Sequence, residues 1–269
     1  MSVIDTDSAR QLALRIIEAE RTKQPTKQIS QLHPEFTIDD AYAIQAAGIR
    51  LSEEAGRVVR ARKVGLTSKV MQDAVGVDEP DSGVIYDDMF YAPGDTIPFD
   101  RFIAPRIEVE LAFVLGAELS DPDCALEDVL EATSYVTPAI EILDTRIQMK
   151  DPDTGSTRTI VDTVADNAAD AGIIVAHQRF DVHEIDIPWV SAVLRRNGQI
   201  EESGVAAAVL DHPGRSVAWL TRRLHGLGIA LQPGELILAG SFTRPLWVQR
   251  GDEFVADYGA LGTLEFRFG

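Results

Sequence analysis

The spacing of hydrophobic positions changes several times along the chain, and each change marks an element. Between Asp7 and Lys23, Leu12, Ile16 and Ala19 fall on one helical stripe with charges between them, which predicts an amphipathic helix. A second helix opens at Thr37, with Asp40 at the capping-box position and Ala41, Ile44 and Ile49 behind it, and Gly56 ends it. From Val58 the pattern turns to short strands: Val58 to Leu66, Val84 to Tyr86, Arg106 to Leu115, Pro138 to Leu143, Ile173 to Ala176 and Leu236 onward. Trp189 to Arg196 followed by Asn197-Gly198 predicts a hairpin, and a last pair of strands meets around Tyr258-Gly259. Helices are expected only at Thr67-Ser68 onward, Asp123 to Ser134 and Val217 to Leu227. This predicts an α+β fold, a mixed β-roll or sandwich with flanking helices and not a doubly wound sheet. Residues 1–58 form a helical N-terminal region that packs on, or swaps contacts with, a body spanning 59–269.

One strand breaks the apolar rule. In Arg106-Ile-Glu-Val-Glu-Leu-Ala-Phe-Val-Leu115, alternation puts Glu108 and Glu110 on one face with Ala112 and Val114, while Val109, Leu111 and Phe113 take the other. Both faces are largely apolar, so the glutamates sit at the rim of a buried sheet. Carboxylates about 7 Å apart and partly withdrawn from water need a compensating cation. By itself the pair is open between surface charge and a metal site. Glu141, flanked by Ile140 and Ile142, repeats the anomaly in a second apolar strand. Three carboxylates with no nearby Cys or His make an all-oxygen site that suits Mg²⁺ or Mn²⁺ and argues against zinc, with positions left for water or substrate oxygens.

Other charged positions stay open between two readings. Lys63 inside its strand is either a snorkelling surface lysine or a substrate-facing cation. Asp81, in the turn-rich loop Asp78 to Gly83, either caps a turn or serves as a loop-borne catalytic group. The polar segment 145–160 is placed to act as a lid.

Charge narrows the partners. With 25 Lys+Arg against 43 Asp+Glu, the formal net charge of −18 repels nucleic acid and anionic membrane, so a small molecule or a cation is the expected ligand. No run approaches the roughly 20 apolar residues of a membrane span, the start lacks a secretory signal pattern, and Cys124 is the only cysteine, which together suggest a cytoplasmic protein. The Gly-x-Gly-x-x-Gly, phosphate-loop, Gly-x-Ser-x-Gly and His-Glu-x-x-His motifs are absent, and the five histidines show no ligand-like spacing.

Four segments carry a family likeness: Lys63-Val-Gly-Leu-Thr-Ser-Lys69, Glu79-Pro-Asp-Ser-Gly83, Pro105 to Leu115, and Pro138-Ala-Ile-Glu141. Together they resemble the hydratase/decarboxylase branch of the fumarylacetoacetase superfamily, nearly end to end. The resemblance implies that family's C-terminal-domain type of β-roll and a homo-oligomer. It assigns Glu108, Glu110 and Glu141 to a divalent metal, usually Mg²⁺, assigns Lys63 and Asp81 to proton transfer, and brings the Ser241 hydroxyl to a substrate carboxylate. Asn197 to Leu210, Gly240 to Pro245 and the long 147–160 segment resemble members acting on diacids. The implied reaction hydrates 2-oxohept-4-ene-1,7-dioate, derived from 2-hydroxyhepta-2,4-diene-1,7-dioate, in the homoprotocatechuate branch of aromatic catabolism. A second carboxylate calls for arginine, and Arg158, Arg244 and Arg62 are the candidates. The rivals are decarboxylation of a 4-oxalocrotonate-type substrate, hydration of 2-hydroxypenta-2,4-dienoate, acylpyruvate hydrolysis and a non-catalytic scaffold.

Overall fold

The computed structural model describes residues 3–269, with Ala74 as backbone only. The helices are α1 (Thr6–Thr22), α2 (Ile29–Leu32), α3 (Ile38–Glu54), α4 (Lys69–Val75), α5 (Leu126–Ala132), α6 (Ile160–Ala165) and α7 (Gly214–His225). The strands are β1 (Val59–Gly65), β2 (Asp81–Tyr86), β3 (Phe90–Tyr91), β4 (Thr96–Ile97), β5 (Arg106–Leu115), β6 (Thr133–Leu143) and β7 (Asp170–Val175). They continue with β8 (Ser191–Arg196), β9 (Gln199–Val205), β10 (Leu236–Ser241), β11 (Leu246–Trp247), β12 (Glu253–Asp257) and β13 (Thr263–Phe268). No helix among the described residues is long and apolar enough to cross a membrane.

Two sheets form the body. The larger has the order β2-β1-β10-β5-β6-β7-β3, with β11 also on β5, and the smaller has the order β4-β13-β12-β8-β9. Most pairs are antiparallel, but β1 runs parallel to β10, β3 to β7 and β13 to β4, which makes both sheets mixed. The odd-numbered face of β5, with Ile107, Val109, Leu111 and Phe113, packs into the main core with Phe254, Phe266 and Phe268 of the smaller sheet. Phe254 and Phe266 stack at 5.2 Å between centroids. The even-numbered face points away from that core. There Ala112 and Val114 join Ala61, Ile85 and Ile173 in a second cluster, and the glutamates of β5 share that side.

The N-terminal helices dock on the same side. Leu12, Ile16, Ile29 and Ile44 bury against Val161 and Val164 of α6, and the Gln45 amide donates to the carbonyls of Ser82 and Val164, joining α3 to β2 and α6. Asp5 caps α1 by accepting from the Ser8 N–H at 2.8 Å. The expected capping box of α3 is present: Asp40 Oδ2 accepts from the Thr37 N–H at 2.8 Å, and Thr37 Oγ1 accepts from the Asp40 N–H.

Several expected boundaries shift. The α5 helix is shorter than Asp123 to Ser134, because β6 begins at Thr133 and runs through Pro138. Pro138 faces Leu111 one residue beyond the last β6–β7 pair, Ala139 with Val175, where one side of the strand lacks a continuous neighbour. Asp81 opens strand β2 and is not in a loop, since it pairs with Gly65 at the end of β1. The α6 helix was not expected. It is initiated by Asp162, whose Oδ2 accepts from the Thr159 N–H at 2.9 Å.

Candidate metal centre and catalytic cleft

Strand pairing concentrates the charged residues. Glu108 on β5 lies directly opposite Glu141 on β6, and Glu110 pairs across the other edge with Ser241. The three glutamates offer carboxylate oxygens that all lie within 4.8 Å of one another. Glu110 and Glu141 are 1% and 0% exposed, and neither Glu141 oxygen has a hydrogen-bond partner among the described residues. Burial, followed by repulsion from Glu141, pushes the Glu108 carboxyl up to about 8, and the same two causes hold Glu110 well above the usual carboxylate range. Such crowding of carboxylates with unsatisfied oxygens could hold a hard divalent cation. Behind the carboxylates, the Tyr258 hydroxyl reaches the carbonyls of Ala139 at 2.6 Å and Glu110 at 3.1 Å, fixing β5 against β6. A bulge in β10 at Gly240 (φ +113°) turns its N–H onto Glu110 Oε2 at 2.8 Å. A side chain there would strike Thr67, so only glycine allows the bulge.

Lys63 and Asp81 converge from the other end of the sheet. Register places Lys63 opposite Gly83, and Gly65 opposite Asp81, on the same face as the glutamates. Lys63 Nζ donates to the Ala168 carbonyl at 3.1 Å and lies 3.3 Å from Glu141 Oε1. Burial penalises the ammonium, but Glu141, Asp81, Glu108 and Glu110 outweigh it and raise the lysine above its ordinary value. Asp81 is also raised, chiefly by burial, with Lys63 opposing. Both side chains fold over Gly65, where a Cβ would meet Asp81 Oδ1 and come within 2.8 Å of Lys63 Nζ. The snorkelling reading of Lys63 is excluded by its 3% exposure.

The Ala168 carbonyl is aimed by an unusual turn. Asn167, Ala168 and Ala169 adopt left-handed φ values of 53°, 50° and 65° in succession, a conformation that costs non-glycine residues roughly 1–3 kcal/mol each. Asn167 offsets part of this by pairing with both the N–H and the carbonyl of Val84 at 2.9 and 2.8 Å. Tertiary contacts hold this turn, so its local sequence does not announce it. Asp170, next in the chain, is fully buried with neither oxygen hydrogen-bonded among the described residues. Burial and then Glu141 hold it well above the carboxylate range. Its sequence signal is an acid at the head of an apolar strand, as β7 starts at Asp170.

The remaining expected residues separate. Ser241 borders a cavity of about 330 Å³ together with Glu108, Glu202 and Arg244. Its hydroxyl lies 2.9 Å from the Thr243 carbonyl and 3.2 Å from that of Val109, and accepts from the Thr243 N–H. Arg244 stands at the mouth, 82% exposed, with Nη2 2.7 Å from Glu202. Arg158 borders a second cavity of about 300 Å³ with Lys63, Asp81 and Glu108. Its wall includes Met149, Thr157 and Thr159 from the expected lid segment. Arg62 corrects an expectation: on the opposite face of β1 from Lys63, it pairs with Glu235 at 2.7 Å and borders neither cavity. Adjacent strand residues cannot serve one face. Arg106, not among the expected arginines, does border the second cavity, and its parity with Glu108 is visible in the sequence.

Known proteins share this arrangement of elements. Residues 57–268 match the model of the fumarylacetoacetate (FAA) hydrolase C-terminal family. The 2-oxo-hept-4-ene-1,7-dioate hydratase of Escherichia coli is 48% identical over 96% of this chain and 96% of its own. The 2-keto-4-pentenoate hydratase of Paraburkholderia xenovorans is 36% identical over 95% and 93%. Among solved structures, the 4-oxalocrotonate decarboxylase from Pseudomonas putida G7, complexed with magnesium and adipate, superposes with a TM-score of 0.94 at 31% identity, covering all of both chains. With a family match across most of its length and full-length relatives above 30% identity, the chain belongs to the fumarylacetoacetate hydrolase C-terminal family.

Proposed function

We propose that the chain is a Mg²⁺-dependent hydratase that adds water to 2-oxohept-4-ene-1,7-dioate, supplied as 2-hydroxyhepta-2,4-diene-1,7-dioate, to give 4-hydroxy-2-oxoheptanedioate. The observation that carries the reading is the meeting of Glu108, Glu110 and Glu141 with Lys63 and Asp81 on one sheet face. The 48% relative named for this substrate supports the choice of reaction. A cytoplasmic location and a homo-oligomer belong to the same reading, the oligomer supported by Trp189, Leu227 and Trp247 at the surface.

Glu108, Glu110 and Glu141 would hold the ion, with Mn²⁺ able to replace Mg²⁺. Bound there, the ion supplies Lewis acidity that stabilises negative charge on the 2-oxygen of a 2-oxo acid. The chain's own groups handle the protons. 2-Oxohept-4-ene-1,7-dioate and the 2-hydroxydiene interconvert by exchange of a proton between C3 and the 2-oxygen; the 2-hydroxydiene gains a proton at C5 and loses its hydroxyl proton, giving the conjugated 2-oxo-3-ene isomer, and water then bonds to C4 while C3 gains a proton. The net change is one water. Asp81, raised by burial, and Lys63, an ammonium held by Ala168 and Glu141, exchange these protons with the substrate.

Incubation with Mg²⁺ and 2-hydroxyhepta-2,4-diene-1,7-dioate, followed by mass spectrometry, tests the reading. A product heavier by one water is expected. Loss of CO₂ would assign the decarboxylase reaction, and two shorter acids would assign hydrolysis.

A pH dependence follows from the same site. The folded metal-free chain keeps a proton on Glu108 up to about 8, whereas an unfolded glutamate releases it near 4.5. Between those values the folded state binds more protons, so this group makes metal-free stability fall as pH rises. Metal binding needs the ionised form and expels the proton, so affinity rises through the same window. Thermal unfolding with and without Mg²⁺ should show a stabilising increment that grows from pH 4.5 to about 8. An increment independent of pH removes Glu108 from the ligand set.

A further inference from the structure

The cavity beside Lys63 and Asp81 is bordered by two guanidinium groups that the protein only partly satisfies. Arg106 lies two residues before Glu108 on the same face of β5. Its Nε is buried with no hydrogen-bond partner, and it makes no ion pair among the described residues. Its guanidinium packs 5.1 Å over the Trp247 ring, a contact that fixes its plane while leaving the N–H edge available. Arg158, 9% exposed at the side chain, borders the same cavity of about 300 Å³. It lies 2.9 Å from Thr145 Oγ1 and 3.7 Å from Asp166 Oδ2. That carboxylate is already engaged by Arg146, through its side chain at 2.6 Å and its N–H at 2.9 Å. One aspartate is thus shared between two guanidiniums. Arg106 and Arg158 are also close enough that each charge disfavours the other.

Charge counting says what is missing. A divalent ion together with the Lys63 ammonium balances Glu108, Glu110 and Glu141. Asp81 in the same cavity and the shared Asp166 offset part of the charge of Arg106 and Arg158, but the buried Arg106 Nε–H still lacks an acceptor, which is costly unless an anion enters. A dicarboxylate brings two negative charges, one at the glutamate end and one at the arginine end.

We propose that Arg106 and Arg158 jointly seat the second carboxylate of the substrate and make the chain select dicarboxylates over monocarboxylates. The proposal rests on the reading above for placing the 2-oxo acid end at the three glutamates. Arg244, exposed and held by Glu202, and Arg62, on the far face, take no part.

Calorimetric titration of the Mg²⁺-loaded protein with heptanedioate and with heptanoate tests this without turnover. Wild type should bind the diacid roughly 10- to 100-fold more tightly, the range of one or two charge-assisted hydrogen bonds. Arg106→Leu and Arg158→Leu should each erase most of that preference while leaving heptanoate and Mg²⁺ affinities in place. Arg106→Lys should keep part of it, as a point charge replaces a planar fork. Equal weakening of both acids by Arg106→Leu would place the arginine at the common carboxylate and overturn the proposal. So would an altered Mg²⁺ affinity, which would make Arg106 a counter-charge to the glutamates, or an unchanged diacid preference. If Arg158→Leu does not fold, the two Arg106 variants decide. A wild type that prefers the diacid but expels CO₂ overturns the hydratase reading and leaves this one standing.

Discussion

Glu110→Gln abolishes useful affinity for Mg²⁺ and Mn²⁺ and leaves the chain folded. The Glu110 side chain is 1% exposed, and its Oε2 accepts from the Gly240 N–H at 2.8 Å, a bond that a glutamine oxygen can also accept. Shape and hydrogen bonding are therefore kept while one buried negative charge is lost. Removing one partner from a buried charge set costs roughly 3–5 kcal/mol, on the order of a 150- to 5,000-fold loss in cation affinity. Turnover should fall at least as far. The metal-free variant should unfold at a temperature equal to or above that of wild type, because crowding by Glu141 and Glu108 is relieved. Calorimetry with Mn²⁺ and circular dichroism on the same preparation check both halves. A folded variant that binds Mn²⁺ as wild type does would refute the assignment.

Lys63→Met has the second large effect, and it is the reverse in the metal-free state. Lys63 Nζ sits 3.3 Å from Glu141 Oε1 and is the ammonium raised by all four surrounding carboxylates against its burial. Without it the metal-free chain should lose roughly 3–5 kcal/mol of stability, most of which Mg²⁺ should restore. The rate should fall by roughly 10²- to 10⁴-fold even when metal is saturating, the usual worth of a positioned proton-transfer group. Deuterium uptake at C5 in D₂O, followed by NMR, separates slowed ketonisation from slowed water addition. A saturating-metal rate within about tenfold of wild type would fall below that range and make Lys63 a structural counter-ion.

These two residues show how unevenly the site could be read from the sequence. The glutamates were legible because a carboxylate in an apolar strand contradicts its surroundings, and Glu141 contradicts them in the same way as Glu108 and Glu110. The capping box at Thr37 and the hairpin at Asn197-Gly198 were legible because their signals are local. Lys63 was not, since burial of a strand lysine depends on Ala168, more than a hundred positions away. The left-handed turn 167–169 depends on Val84 in another strand and has no signature of its own. Arg106 and Arg62 could have been sorted by parity alone, one sharing a face with Glu108 and the other opposing Lys63. The α6 helix was hidden by the polar run before it, whose Thr159 is its cap.

Strand β1 presents cations to both sides of the sheet, with Arg60 and Arg62 on one face and Lys63 on the other. A slip by one position would exchange an arginine for the lysine as well as moving Val64 out of the main core and Ala61 out of the second cluster. Two ion pairs on opposite faces accompany this alignment, Arg62 with Glu235 and Lys63 with Glu141. The misaligned chain would bury a guanidinium among the glutamates and still look compact. The two faces of one strand are thus each tied to their own acidic partner, and Glu235, on the face away from the glutamates, helps set which cation of β1 meets them.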